Sequence, residues 1–100
     1  MITREEARNL ALKEISKNWN NKDDEPIILD ENTIEKDFGW VFFYDSKRFL
    51  KTKEFSHTLL GNAPIIVNKF DSSMHYTGTA YETEYYIAEY EKTLQNHLRS

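Results

Sequence analysis

Apolar residues recur at helical spacing near both ends of the chain. Near the N-terminus this spacing predicts a helix over 3–19, and Thr3 with Glu6 forms a capping-box pattern that would open it. A second helix is predicted over 82–98, with acidic residues early and basic residues late, as the helix dipole favours. The apolar faces comprise Ala7, Leu10, Ala11, Ile15 and Trp19 in the first helix, and Tyr86, Ile87, Tyr90, Leu94 and Leu98 in the second.

The densest apolar run of the sequence, 37–44, predicts a central β-strand. Side chains alternate along a strand, so each side of this one receives every second residue. Both sides are apolar, so we expect the strand in the interior of its sheet and Trp40 in the core. One side is expected to carry Phe38, Trp40, Phe42 and Tyr44, and the other Gly39, Val41 and Phe43.

The remaining pattern predicts shorter extended pieces and turns. A second strand is expected over 63–70, followed by a hairpin turn at 71–73 and a returning strand over 74–79. Short extended pieces are expected at 26–29 and 33–36. A partly ordered loop is expected over 51–62, ending in a turn at Gly61 and Asn62.

This order of elements predicts an α+β fold. We expect an antiparallel β-sheet of about four strands with an N-terminal and a C-terminal helix packed on it, most simply on one face. The chain has 100 residues, so a single domain over 1–100 is expected.

Composition and charge exclude several kinds of functional site and argue against some kinds of partner. The chain contains no cysteine, which excludes disulfides, thiolate metal sites and cysteine nucleophiles. Its formal net charge of −4 argues against general nucleic-acid binding and leaves room for a basic protein partner. No apolar run approaches the roughly 20 residues of a membrane helix. The segment 1–6 is too acidic and polar for a signal peptide, so we expect a cytoplasmic protein without membrane contact.

The sequence shows no constellation typical of catalysis or ligand binding. His57, His75 and His97 lie in three different predicted elements, without the local pairing that zinc sites use, so a structural or solvated role is expected for each. The three glycines are too dispersed for a phosphate-binding loop, and no G-x-S-x-G motif is present. We therefore expect no catalytic residue, no metal and no cofactor.

Two groups of residues are candidates for contacting a partner. Acidic residues crowd the region before the central strand, where they form either a solvated edge or a docking surface for a basic partner. The candidates there are Asp30, Glu31, Glu35 and Asp37. In the last helix, Tyr85 and Tyr86 are adjacent and cannot both face the core, so Tyr85 is expected at the surface, where tyrosine often anchors interfaces.

Three segments together resemble a known family. They are the run 37–44, the strand entry GNAPIIV at 61–67, and GTA at 78–80 before the closing helix. In this order and spacing they resemble the immunity protein 35 family, which includes the YrhB-like small bacterial proteins. The first helix and the tail over 84–90 match the same outline. The turn at 71–73 departs from the pattern of the family, because it lacks the glycine expected there. The absence of this glycine should affect the geometry of the turn.

The resemblance implies an α+β domain that acts as an antitoxin in a bacterial polymorphic toxin system. Such a protein binds and neutralises a cognate toxin domain without catalysis. The resemblance implies papain-like peptidases or deamidases as toxin targets, and a chaperone-like role for some relatives. The free protein is expected to be a monomer or a small homo-oligomer.

Two other functions stay open. A chaperone-like stress protein that suppresses aggregation of client proteins would expose an apolar patch. A small hydrolase or ligand-binding enzyme would require a concave pocket with convergent polar groups.

Overall fold

The computed structural model describes residues 1–19, 24–47, 63–78 and 80–99, and for 95–99 it describes the backbone alone. The N-terminal helix opens as predicted, since Thr3 and Glu6 exchange both hydrogen bonds of a capping box at 3.1 Å. The elements in chain order are α1 Arg4–Lys17, β1 Pro26–Ile28, a 3₁₀ turn Asp30–Asn32, β2 Ile34–Lys36, β3 Gly39–Phe42, β4 Tyr44–Ser46, β5 Ile65–Asn68, β6 Met74–Tyr76 and α2 Thr83–Arg99.

The strands of the described chain form two antiparallel sheets. The larger has the order β2-β3-β5-β6, and β1 pairs separately with β4. In the larger sheet Val41 lies opposite Ile34 on one side and Ile66 on the other. The predicted α+β fold with a sheet of about four strands is confirmed.

The helix α1 covers one face of the larger sheet. Its buried residues Ala7 and Ala11 have small side chains, which let the helix approach the strands closely. They pack with residues at alternate positions of β3 and β5, as the period of a strand requires. This first core cluster comprises Ala7, Ala11, Ile15, Ile28, Trp40, Phe42, Ile65 and Val67.

The helix α2 covers the opposite face. Ile87 of α2 packs with Val41 and Ile66, which occupy the intervening positions of β3 and β5. The expectation that both helices pack most simply on one face is therefore wrong. Both faces of β3 and β5 are apolar, and one helix can cover only one of them, so the second helix is needed on the other face.

The position of Phe38 also differs from the prediction. Phe38 packs with Val41 on the α2 side, whereas Trp40 and Phe42 face α1. Phe38 lies in a turn before β3, and Gly39 follows with a φ of 148°, so the alternation of side chains does not extend back to Phe38. A Cβ atom at residue 39 would overlap the carbonyl oxygen of Val67, which explains why glycine is needed there.

The β5–β6 hairpin is shorter than predicted. β5 ends at Asn68 instead of residue 70, and β6 ends at Tyr76 instead of residue 79. At the connecting turn Ser72 adopts a φ of 63°, a left-handed conformation that favours glycine. The predicted loop over 51–62 and its closing turn, with His57, lie outside the described residues, as do the side chains of His97 and Leu98.

Candidate partner-binding surface

Asp30, the first of the predicted contact residues, is bound to α1. Arg8 donates to both carboxylate oxygens of Asp30, from Nε to Oδ1 at 2.6 Å and from Nη2 to Oδ2 at 3.1 Å. Arg4 donates to the Asp30 carbonyl oxygen at 3.3 Å. The hydrogen bond from Arg8 holds the pKa of the Asp30 carboxyl below its usual value. The charge of Asp30 is thus partly offset within the protein.

The other predicted acidic residues lie along β2 and the turns beside it. Glu31 is exposed in the 3₁₀ turn, and Asp37 is exposed in the turn between β2 and β3. Glu35 is opposite Trp40 in the sheet, and its Oε1 accepts a hydrogen bond from Trp40 Nε1 at 3.2 Å. We name Asp30, Glu31, Glu35 and Asp37 the acidic edge.

Tyr85 belongs to a group of tyrosine rings that contact one another at the start of α2. Its ring centroid lies 4.5 Å from that of Tyr81 and 5.3 Å from that of Tyr86. The hydroxyl oxygen of Tyr86 accepts hydrogen bonds from the backbone N–H groups of Ala80 at 3.1 Å and Tyr81 at 3.2 Å. Tyr81 is 64% exposed and Tyr85 47%. We name Tyr81, Tyr85 and Tyr86 the tyrosine cluster.

A groove of about 390 Å³ lies between β6 and α2 and begins at Tyr86. Sequence reasoning missed it, although α2 carries tyrosines where a fully buried stripe would carry aliphatic residues. Tyr86, Tyr90 and Leu94 of this stripe are only partly buried. The apolar part of the lining comprises Ile66, Tyr86, Tyr90 and Leu94, and the polar part includes Asp71 and His75.

Asp71 stands in the hairpin turn that borders this groove. Its Oδ1 accepts hydrogen bonds from the Ser73 N–H at 2.9 Å and from the Ser73 hydroxyl at 2.7 Å. These bonds hold the pKa of the Asp71 carboxyl below its usual value, so Asp71 is ionised at neutral pH. His75 is exposed, with its ring 5.3 Å from that of Tyr90.

The structure divides the five predicted contact residues between two regions. The acidic edge lies with α1 and β2, whereas Tyr85 lies on α2, which covers the opposite face of the sheet.

Within the described part of the chain, no group of three or more His, Asp or Glu residues is arranged to hold a metal ion. No helix in that part has the length and apolar character needed to cross a membrane.

Comparison with known proteins places the chain in a family. The family model described as "Immunity protein 35" matches residues 6–93. The chain is 40% identical over 53 residues to "Uncharacterized protein YrhB" of Escherichia coli (strain K12), which covers 53% of this chain. The aligned region spans 56% of that relative, a little more than half its length. No solved structure matches the chain. Because the family model covers most of the residues, the chain belongs to the immunity protein 35 family.

Proposed function

We propose that this protein binds a cognate toxin domain in the bacterial cytoplasm and neutralises it by occupancy, without catalysis. The observation that carries the proposal is the family match over residues 6–93. Bacteria that produce a polymorphic toxin must protect themselves from it, and a stoichiometric inhibitor achieves this when it covers the active site or the substrate groove of the toxin. A papain-like peptidase or deamidase is the toxin class that we propose.

The surface of the protein is large enough for such a complex. A standard interface uses about 800 Å² per partner. The whole chain exposes 7009 Å². One face of the sheet, with the helix that covers it, can therefore supply the whole interface. The candidate contacts are the acidic edge on one face, with Asp30, Glu31, Glu35 and Asp37, and Tyr85 on the other.

Co-expression tests the proposal directly. A candidate toxin domain, chosen from the products of genes adjacent to that of this protein, is induced in Escherichia coli with and without the immunity protein. We expect growth to be restored only when both are present, and the purified proteins to co-elute as one complex. Light scattering on the free protein distinguishes a monomer from a small homo-oligomer. Unrelieved toxicity together with separate elution would refute the proposed function for that toxin.

A chaperone-like role has one specific observation in its favour. Met1 is 87% exposed and Phe70 is 63% exposed, and the N–H of Ile2 donates to the carbonyl oxygen of Lys69 at 3.0 Å, which brings the two apolar side chains to the same end of the sheet. A chaperone that uses this patch would suppress the heat-induced aggregation of an unrelated enzyme such as luciferase, and Phe70→Ser would weaken that effect. Equal suppression by Phe70→Ser, or none by the wild type, would count against this role.

A further inference from the structure

The net negative charge of the chain is concentrated in one segment. Residues 71–94 contain five acidic residues and one lysine, whereas the rest of the chain contains twelve acidic and twelve basic residues. The single lysine, Lys92, lies 3.4 Å from the carboxylate of Glu89. The charged residues of this segment are Asp71, Glu82, Glu84, Glu89, Glu91 and Lys92. The segment that forms β6 and the first part of α2 therefore carries the whole net charge of −4.

The same segment presents preorganised aromatic surface. The Tyr86 hydroxyl is fixed by two backbone N–H groups. The exposed rings of Tyr81 and Tyr85 pack against the Tyr86 ring at centroid distances of 6.2 and 5.3 Å, the first tilted and the second edge-on. Rings that are already ordered lose little conformational entropy when a partner binds. The faces of tyrosine rings attract cations, and arginine most often supplies them.

The groove continues this surface from Tyr86 towards Asp71. Its walls are apolar at Ile66, Tyr90 and Leu94, and the carboxylate of Asp71 borders it. An arginine or lysine side chain has the matching chemistry, because its stem is aliphatic and its tip is cationic. A neutral apolar side chain would add no positive charge beside the Asp71 carboxylate, which receives the two hydrogen bonds from Ser73 described above.

We propose that the α2 face, made of the tyrosine cluster and the adjoining groove, is the surface that binds the toxin, and that it receives an arginine or lysine side chain of the toxin with its tip at Asp71. This inference rests on the proposed function and chooses between its two candidate surfaces. The ionised state of Asp71 at neutral pH is consistent with this role.

The acidic edge is a weaker candidate for electrostatic reasons. The carboxylate of Asp30 already receives two hydrogen bonds from the cationic side chain of Arg8. A basic partner at this edge would have to compete with Arg8 for Asp30. On the α2 face, the charged segment contains one lysine, Lys92. It pairs with Glu89, which does not line the groove.

Variants of the complex test the choice of surface. We expect Tyr85→Ala to weaken toxin binding about tenfold or more, as truncation of an aromatic anchor does. Tyr85→Phe keeps the ring and should bind within about threefold of the wild type. Asp71→Asn keeps an oxygen for the Ser73 hydrogen bonds, removes the charge, and should weaken binding about tenfold while reducing its salt dependence. Dissociation constants from calorimetry at low and high salt give these values.

The matched control variants are Glu31→Gln and Asp37→Asn, which remove exposed charges from the acidic edge. We expect both to bind like the wild type. The inference is overturned if Tyr85→Ala and Asp71→Asn bind like the wild type, whatever the two controls do. Circular dichroism spectra and unfolding curves of each variant show whether a loss of binding reflects a loss of fold.

A defined peptide separates failure of this inference from failure of the proposed function. The probe is an acetylated and amidated Ala-Arg-Ala-Arg-Ala peptide, with a second peptide in which citrulline, an uncharged analogue of arginine, replaces both arginines. In ¹H–¹⁵N spectra we expect the arginine peptide to shift amide signals within residues 71–94 and the citrulline peptide to have little effect. Shifts centred on the acidic edge, or equal effects of the two peptides, would contradict the inference whether or not a toxin is bound.

Discussion

The side-chain amide of Asn68 donates a hydrogen bond to the hydroxyl of Tyr90 at 3.0 Å, and this bond joins the end of β5 to α2. Asn68 is 5% exposed. Its Oδ1 accepts hydrogen bonds from the N–H groups of Phe70 at 2.8 Å and Asp71 at 3.4 Å. A buried polar side chain therefore has partners on both its amide nitrogen and its oxygen, and it connects the hairpin turn that carries Asp71 to the helix that forms the other wall of the groove.

Loss of this hydrogen bond should lower the free energy of unfolding more when Asn68 is replaced than when Tyr90 is replaced. Asn68→Ala leaves two turn N–H groups and the Tyr90 hydroxyl without their partner, and we expect the free energy of unfolding to fall by about 2–3 kcal/mol. Tyr90→Phe removes one hydrogen bond and should cost about 1–1.5 kcal/mol. Urea unfolding followed by circular dichroism measures both. Tyr85→Phe, which removes an exposed hydroxyl, is the control and should be neutral; an equal loss in all three variants would contradict this account.

Trp40 should be among the most sensitive core positions. Its side chain is 6% exposed between α1 and β2, and its indole N–H donates to Glu35. We expect Trp40→Ala to lower the free energy of unfolding by about 3–5 kcal/mol, because it opens a cavity. Trp40→Phe, which keeps a ring, should cost clearly less. A Trp40→Ala variant that unfolds at the wild-type urea concentration but fails to bind the toxin would reassign Trp40 from the core to the interface.

Ser72→Gly should stabilise the protein. Ser72 has a φ of 63°, which costs a residue with a Cβ atom about 1–2 kcal/mol. Glycine removes this cost but adds backbone entropy to the unfolded chain, so we expect a net gain of about 0.5–1 kcal/mol. The neighbouring change Ser73→Gly is the control, because it deletes the hydroxyl that donates to Asp71 and should destabilise the turn. Thermal unfolding of both variants checks the opposite signs.

The contact between Arg8 and Asp30 should give a measurable pH dependence. The hydrogen bond from Arg8 lowers the pKa of Asp30 in the folded protein from its usual 3.8. Above that value both the folded and the unfolded chains are ionised, so the contribution to stability is fully present. As the pH falls through 3.8 and then through the lower folded pKa, the contribution is lost, because the unfolded chain takes up the proton first.

A double-mutant cycle of Arg8→Ala and Asp30→Asn isolates this contribution. The two side chains are 34% and 55% exposed, so solvent screens the pair and we expect a coupling energy of about 0.5–1 kcal/mol at pH 7. The coupling should shrink in about 1 M salt and vanish at low pH. A coupling energy that is the same at pH 7 and pH 2 would show that the contact does not depend on the charge of Asp30.

The local structure of this chain follows from its sequence, because it depends on neighbouring residues. The exchange between Thr3 and Glu6 spans three residues and could be predicted from their spacing. The apolar stripe over 86–98 predicted α2, and the run 37–44 predicted an interior strand with Trp40 in the core. The run 37–44, together with 61–67 and 78–80, carried the resemblance to the family that the match over residues 6–93 confirms.

The side of the sheet that each element occupies depends on pairing between distant segments. β3 and β5 carry apolar residues on both sides, and this pattern alone does not say whether the two helices lie on one face of the sheet or on opposite faces. Pairing of β3 with β5 creates two apolar faces, and each is covered by one helix. Phe38 departs from the predicted face because the conformation of Gly39, with a φ of 148°, ends the alternation, and periodicity alone does not contain that angle.

The sequence by itself determined the helices, the central strands, the fold class and the family, because periodicity, capping and motif order are local properties of a chain. Only the tertiary structure decided that the Asp30 carboxylate pairs with Arg8 and that Asp71 borders the groove between β6 and α2. Arg8 and Asp30 are 22 residues apart in the sequence, and so are Asn68 and Tyr90. Local sequence patterns do not predict contacts between residues this far apart. The charge of Asp30, the first of the acidic candidates, is therefore partly offset in the fold, whereas Asp71 and Tyr86 of the tyrosine cluster line one groove between β6 and α2.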